Sequence, residues 1–132
     1  MARSKTYRID ISPISWQRAK LKGGKFFDNQ VKQKMCFGLY VQKQHGNEPV
    51  FSNPISMDIT FFMAQPYSKR KAYYHASFPD LDNLCKFLLD SMKDVVISDD
   101  RIICSLSAKK IYSAEPRTEF TITEVEAYEK GD

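Results

Sequence analysis

Alternating apolar and polar residues predict two β-strands that each bury one face. The clearer pattern lies at residues 55–63, where Ile55, Met57, Ile59, Phe61 and Met63 share one side. A shorter one lies at residues 7–11. Two further strands are expected at 102–108 and 118–123, separated by turn-forming residues at 113–116.

A helical repeat follows residue 28 and is expected to end before Gly46. Its apolar side consists of Val31, Met35 and Leu39, and its charged side of Lys32, Lys34 and Lys43. Asp28 or Asn29 is the expected N-cap. We therefore expect an amphipathic helix that buries the apolar stripe.

A second helix is expected to begin near residue 83. Its narrow apolar stripe consists of Leu84, Leu88, Ser91 and Val95, whereas Asp82, Lys86, Asp90 and Lys93 point the other way. Phe87 and Leu89 lie off the stripe. They fit two interpretations equally well, a broader core contact or an interface between subunits.

Length and composition predict one compact domain covering residues 1–132. Hydrophobic residues make up 42% of the chain, and nine Phe, seven Tyr and one Trp give it enough apolar surface to exclude wholesale disorder. No window approaches the ~18 apolar residues of a membrane span, and the N-terminus does not resemble a signal peptide. We expect a cytoplasmic protein with no membrane partner.

Cys36, Cys85 and Cys104 are far apart and lack the spacing of a zinc site or a disulfide framework. They are expected to be reduced, small core residues.

Charge is distributed unevenly along the chain. The 20 Lys and Arg residues outnumber the 16 Asp and Glu residues, for a net charge of +4, which is compatible with nucleic-acid binding. Basic residues cluster in two stretches, at Arg18, Lys20, Lys22 and Lys25 and at Lys69, Arg70 and Lys71. The first surrounds Gly23-Gly24 in a predicted flexible loop at 16–27, which could follow a phosphate backbone or be an ordinary solvated loop.

The acids concentrate between residues 80 and 100. Asp80 and Asp82 are two apart, so in an extended segment they would point the same way and could share a cation. Lys86 lies one helical turn after Asp82, and Asp99-Asp100 provides a second acidic pair just before a strand. A basic chain with such an acidic cluster is expected of metal-dependent enzymes that act on polyphosphates.

The cluster also has simpler interpretations. An Asp before a helix is often an N-cap, and Lys86 with Asp82 or Asp90 could be an exposed ion pair worth about 0–1 kcal/mol. An EF-hand is excluded, because Leu84, Cys85 and Ser91 would occupy positions that need an oxygen ligand, a glycine and a glutamate. Capping does not explain the density of acids beyond the first turn, since clustered carboxylates repel one another unless a divalent cation neutralises them.

The run from Pro79 to Lys86, followed by Asp90 and by Ser98-Asp99-Asp100, resembles the D-x-D-N-L-x-K, D, D-D signature of the RusA family of Holliday junction resolvases. Residues 11–16, the Gly23-Gly24 loop and residues 119–123 resemble the family more weakly. The loop between Met92 and Asp99 departs from the pattern, because it is about one residue shorter and lacks the usual glycine.

The resemblance implies a mixed α/β (α+β) fold with helices flanking a mixed β-sheet. It also implies a bacterial or phage-encoded homodimer that uses Mg²⁺, with Mn²⁺ as an alternative, to cut four-way DNA junctions by paired symmetric nicks in recombination and repair. Asp80, Asp82 and Asp100 match the family's metal-binding carboxylates, and Lys86 matches its essential lysine. The candidates for a supporting role around these four residues are Asn83, Asp90 and Asp99.

The basic clusters would then contact the phosphate backbone without reading bases. The contacting residues would be Lys20, Lys22, Lys25, Lys69, Arg70 and Lys71. Two other functions remain open: a DNA-binding protein that grips branched DNA without cutting it, and a metal-dependent nuclease for flaps or other branched DNA.

Overall fold

A computed structural model describes residues 3–125, without the side chains of Lys20, Phe26 and Phe27. The main elements are β1 (Ser4–Ile9), β2 (Lys20–Lys22), β3 (Lys25–Phe27), α1 (Val31–His45), β4 (Ile55–Ala64), α2 (Leu81–Met92), β5 (Ile103–Ser113) and β6 (Arg117–Glu124). Short 3₁₀ turns at Tyr67–Lys69 and Asp100–Ile102 precede α2 and β5 respectively.

Four strands form a mixed sheet in the order β1-β6-β4-β5. β4 pairs parallel with β5 and antiparallel with β6, and β6 pairs antiparallel with β1. A parallel pair needs a crossover connection, and α2 provides it between β4 and β5. The predicted α+β arrangement of a mixed sheet with helices is confirmed.

The core lies between the sheet and the two helices. Alternate residues of β4 from Ile55 to Met63 are buried, as their pattern predicts, and Asp58 on the opposite face is exposed. α2 buries Leu84 and Leu88, and Phe87 joins them through an edge-to-face contact with Phe37 of α1. Phe87 is thus a core residue, and the interface interpretation is wrong for it.

The predicted strands are confirmed with different bounds. β1 ends at Ile9, before Ile11, and β5 continues five residues beyond the predicted Ala108. The extension includes Lys109 and Lys110, whose charges obscure a strand pattern. Register with β4 holds this part of β5 in the sheet through Ser113.

The predicted helix α1 is confirmed, but its buried face and its cap are wrong. Met35 and Leu39 are 63% and 67% exposed, while Phe37, Gly38, Val41 and His45 are buried. Two apolar faces compete in this segment, and burial goes to the one where Gly38 permits close approach to α2. Gln30 occupies the N-cap position without a side-chain cap hydrogen bond.

The predicted flexible loop at 16–27 contains a β-hairpin. β2 pairs antiparallel with β3 through a turn formed by Gly23 and Gly24, which have φ angles of 59° and 78°. Two consecutive residues of positive φ are typical of a tight hairpin turn, and glycine adopts them without steric cost.

All three cysteines are free, but only Cys85 is buried. The core prediction is wrong for Cys36, on the solvent side of α1, and for Cys104, on the outer strand β5. Within residues 3–125, no helix has the length and apolar character needed to cross a membrane.

Gly38 sets how closely α1 approaches α2. A Cβ atom there would lie 3.1 Å from the backbone oxygen of Ser91 and 3.4 Å from a methyl group of Val95. We expect Gly38→Val to lower the free energy of unfolding by about 2 kcal/mol, because a helix backbone cannot move aside easily. Denaturant unfolding measures this change.

Leu39→Val is the matched control, because it also introduces valine into α1 but at an exposed position. It should change stability by less than about 0.5 kcal/mol. Equal effects of the two substitutions would contradict the close-packing account.

Candidate active site

An open groove of about 650 Å³ separates α2 from β5. Three carboxylates and one lysine line it, namely Asp82, Asp90, Asp100 and Lys86. Its walls are mainly apolar and include Leu89 and Leu106. The groove therefore brings much of the sequence-predicted acidic cluster together, from both ends of the segment 80–100.

The first acidic pair lies across the start of α2. Asp80 has an extended backbone at the N-cap position, and its side chain makes no capping hydrogen bond. Asp82 is already in the first helical turn, so the expectation that both acids lie in an extended segment is wrong. Asp80 is exposed and immediately precedes the groove-lining residue Leu81.

The two carboxylates of the second acidic pair, Asp99 and Asp100, make different contacts. The Asp99 carboxylate accepts a hydrogen bond from the backbone N–H of Arg101 at 3.3 Å and caps the short 3₁₀ turn. The pKa of Asp99 is lowered mainly by a hydrogen bond with the Asp100 carboxyl group and secondarily by the hydrogen bond from the Arg101 backbone N–H. Asp100 instead lines the groove.

Lys86 forms no ion pair with Asp82 or Asp90 among the residues that the structure describes. Its ammonium group lies 3.6 Å from the ring centroid of Trp16. The backbone N–H of Trp16 donates to the carbonyl oxygen of Asn83 at 3.0 Å, which joins this part of the chain to α2. The exposed ion-pair interpretation of Lys86 is therefore wrong, and an aromatic ring positions its charge.

Asp90 forms a salt bridge with Lys34 of α1. Lys34 lies 3.5 Å from its carboxylate and 2.8 Å from that of Asp28. The bridge links the two helices and partly neutralises Asp90, whereas Asp80, Asp82 and Asp100 make no ion pair within residues 3–125.

Sequence reasoning missed Lys110, which fixes the loop leading to Asp80. Its ammonium group donates to the carbonyl oxygens of Ser77 and Pro79, both at 2.6 Å. The predicted end of β5 at Ala108 left Lys110 outside any element. The long parallel register with β4 was the missing information, since it directs Lys110 to the helix side with Phe61.

The thiol of Cys85 is a poor match for a hard cation such as Mg²⁺, which prefers oxygen ligands. Burial, and secondarily the negative charge of Asp82, raise its pKa, so the thiol stays protonated at neutral pH. The ligand candidates that remain are carboxylate oxygens.

The predicted DNA-contacting cations are exposed wherever their side chains are described. Lys22 and Lys25 flank the turn of the β2-β3 hairpin, and the side chain of Lys20 lies outside the described part of the structure. Lys69, Arg70 and Lys71 follow β4, and the Arg70 guanidinium stacks on Tyr67 at 4.3 Å.

Comparisons with known proteins identify the family. The family model described as "Endodeoxyribonuclease RusA" matches residues 10–123. The chain belongs to the RusA family. It is thus an endodeoxyribonuclease by family.

Two curated relatives align along most of their length. A "Crossover junction endodeoxyribonuclease rusA" from Lactococcus phage r1t is 34% identical over 125 residues, covering 90% of this chain and 95% of that protein. An "Uncharacterized protein YqaN" from Bacillus subtilis (strain 168) is 31% identical over 124 residues, covering 83% of this chain and 87% of that protein.

The turn after α2, which lacks the glycine of the RusA pattern, contains Asp94. This residue has a φ angle of 63°, a left-handed conformation that glycine adopts more readily. Its backbone N–H donates to the carbonyl oxygen of Ile97 at 2.9 Å and closes the short turn. Aspartate is among the residues that tolerate this conformation, so the turn forms without the usual glycine.

The carboxylates fit Mg²⁺ in a partly hydrated mode. Among residues 3–125, no three Asp, Glu, His or Cys side chains lie close enough together to hold one ion. Asp82 and Asp90 are eight residues apart in α2, which separates them by about 12 Å along the axis. Mg²⁺ commonly binds through one or two carboxylates, with waters and substrate phosphates completing its shell, and the exposed acids suit that mode.

The contact between Lys86 and Trp16 predicts a measurable energetic coupling. In a double-mutant cycle with Lys86→Met and Trp16→Leu, we expect a coupling free energy of about 0.5–1 kcal/mol in denaturant unfolding. A cycle that pairs Trp16→Leu with Lys93→Met is the control, because Lys93 is exposed at the other end of α2. Equal coupling in both cycles would show that Trp16 does not position Lys86.

Proposed function

We propose that this protein is a Mg²⁺-dependent endonuclease that resolves four-way DNA junctions by paired, symmetric phosphodiester hydrolysis in recombination and repair. The observation that carries the proposal is the groove, in which Lys86 accompanies carboxylates from α2 and from the 3₁₀ turn before β5. RusA family membership and the name of the phage relative support this substrate.

Three carboxylates are proposed to hold one or two Mg²⁺ ions, or Mn²⁺ in their place. They are Asp80, Asp82 and Asp100, which have no cationic partner among the described residues. When bound, the metal supplies Lewis-acid activation of water and stabilises the charge of the reacting phosphate. Asp90 supports the groove through Lys34, and Asp99 supports Asp100 through the cap of the 3₁₀ turn.

Lys86 is proposed to stabilise the negative charge that develops on the phosphate. A lysine held at one place beside a groove is preorganised for this task, because little reorientation is needed as the charge appears. The Trp16 ring beneath the ammonium group limits its movement, while exposure leaves N–H donors free for a phosphate oxygen. Lys86 would thus differ in role from Lys34 and Lys110, whose ammonium groups are occupied by protein oxygens.

A homodimer is proposed because a junction has two-fold symmetry and two opposed strands must be cut. Two sites related by a two-fold axis match that substrate. Of the two candidate interface residues, Phe87 lies in the core, and Leu89 packs against the core but stays partly exposed on the groove wall, so Leu89 alone is kept as an interface candidate. The exposed cations, Lys22, Lys25 and Lys69–Lys71 among them, are proposed to contact backbone phosphates, which favours recognition of DNA shape.

A panel of substrates tests the proposal. Purified protein is incubated with mobile and immobile four-way junctions, flaps and linear duplex, with and without Mg²⁺. We expect paired nicks in junctions only when the metal is present. Preferential cutting of flaps would instead identify a different branched-DNA nuclease, and tight junction binding without cleavage would identify a non-catalytic binding protein.

The three proposed ligands predict a separation of cleavage from binding. Asp80→Asn, Asp82→Asn and Asp100→Asn should each abolish cleavage but retain junction affinity in Ca²⁺, because each removes a negative ligand and leaves the basic contacts intact. Asp99→Asn is the matched control and should have a milder effect, since its carboxylate caps a turn. Near-normal cleavage by two of the three variants would refute the assignment.

The role of Lys86 predicts a kinetic loss without a binding loss. Lys86→Met should lower the single-turnover rate at saturating Mg²⁺ by roughly 10²–10³-fold, as removal of one transition-state donor does. Lys86→Arg should rescue poorly, because a planar guanidinium does not replace a compact ammonium group. A Lys86→Met protein that folds, binds junctions and cuts within a few-fold of the normal rate would leave Lys86 without a catalytic role.

A further inference from the structure

The segment that leads to Asp80 exposes an unusual number of aromatic rings. Phe78 is 83% exposed, and Tyr67, Tyr73 and Tyr74 are also exposed. Single exposed apolar residues are common, but several rings on one short segment beside a candidate active site mark an interaction surface. We call residues 66–79 the aromatic loop.

The charge of the aromatic loop limits the kind of partner that fits. Lys69, Arg70 and Lys71 lie within it, and the chain has no acidic residue between Asp58 and Asp80. A surface that combines cations with exposed rings is suited to nucleic acid, because the cations meet phosphates and the rings stack on bases. An acidic protein would match the charge, but only some of its side chains are planar, whereas every nucleobase offers a face on which a ring can stack.

Phe78 is distinguished from the other rings by how its backbone is held. Lys110 donates to the carbonyl oxygens on both sides of it, those of Ser77 and Pro79. The backbone N–H of His75 also donates to the carbonyl oxygen of Lys110 at 3.2 Å. The loop is thus anchored to β5 while the Phe78 ring points into solvent, two residues before Asp80.

From this arrangement we infer that Phe78 stacks on a nucleobase exposed at a DNA branch point and that Lys110 is the positioning residue that holds the ring there. The inference rests on the proposed function and names a determinant of its selectivity for branched DNA. In continuous duplex both faces of every interior base pair are already stacked, so a ring can enter only by disrupting a stack. At a branch point that the protein holds open, the base pairs beside the crossover lose one stacking neighbour, and a rigid aromatic side chain can cover the free face.

The test measures affinity for a four-way junction and for linear duplex in Ca²⁺, which avoids cleavage. Phe78→Ala should weaken junction binding by about 5–150-fold and leave duplex binding nearly unchanged, as expected for loss of one base–aromatic stack. Phe78→Trp should retain the junction preference, whereas Phe78→Leu, which is apolar but not planar, should not. Thermal melts should be alike for all variants, because the ring is exposed.

Two controls tie the effect to a base and to Lys110. On a junction with abasic nucleotides at the branch point, the native protein and Phe78→Ala should bind equally. Lys110→Met should reduce the preference for junctions when Phe78 is present, but should reduce it little further when Phe78 is already replaced by alanine. Lys109→Met should have the same effect on junction preference whether or not Phe78 is present. Lys109 is adjacent in β5 but lies on the opposite face, beside Asp58 and Thr60.

The outcomes separate failure of this inference from failure of the proposed function. If the native protein prefers junctions and Phe78→Ala does too, the inference is wrong and the proposed function stands. Equal losses on junction and duplex would also overturn it, because they would indicate a general contact. If the native protein has no preference for branched DNA, both are wrong.

Discussion

The parallel pairing of β4 with β5 is the constraint on which the rest of this structure depends. Two neighbouring parallel strands must both begin at the same edge of the sheet, so the chain has to cross back over the sheet after β4 before β5 can start. The helix α2 makes this crossover. Asp82 in the first turn of α2 and Asp100 just before β5 are therefore brought to one groove. The same register places Lys110 where it can hold the loop before Asp80.

The lysines near the groove show how similar side chains take different roles. Lys34 bridges two carboxylates and connects the helices, and Lys110 binds two backbone carbonyl oxygens. Lys86 lies over an indole ring, which positions its charge without neutralising it. Because these cations are directed elsewhere, Asp82 and Asp100 face the groove without an ion-pair partner within residues 3–125.

Sequence alone predicted the features that depend on local periodicity. The alternation in β4 specified both the strand and its buried face, whereas the helical repeat around Leu84 specified α2 but only part of its buried face, which also includes Phe87 and Met92. Where two apolar faces compete, as in α1, the outcome depended on the close contact of Gly38 with Ser91, which is a tertiary property. Lys110 and the ring under Lys86 were missed for the same reason, since each acts on a residue distant in sequence.

Direct metal binding tests the central claim, that carboxylates of this groove hold the ion. Titration of free protein with Mn²⁺, followed by the electron paramagnetic resonance signal of the unbound ion, needs neither DNA nor cleavage. The native protein should bind Mn²⁺, and a variant carrying both Asp82→Asn and Asp100→Asn should bind it at least about tenfold more weakly, since each substitution removes a charged oxygen ligand. Equal binding by the two proteins would contradict the claim.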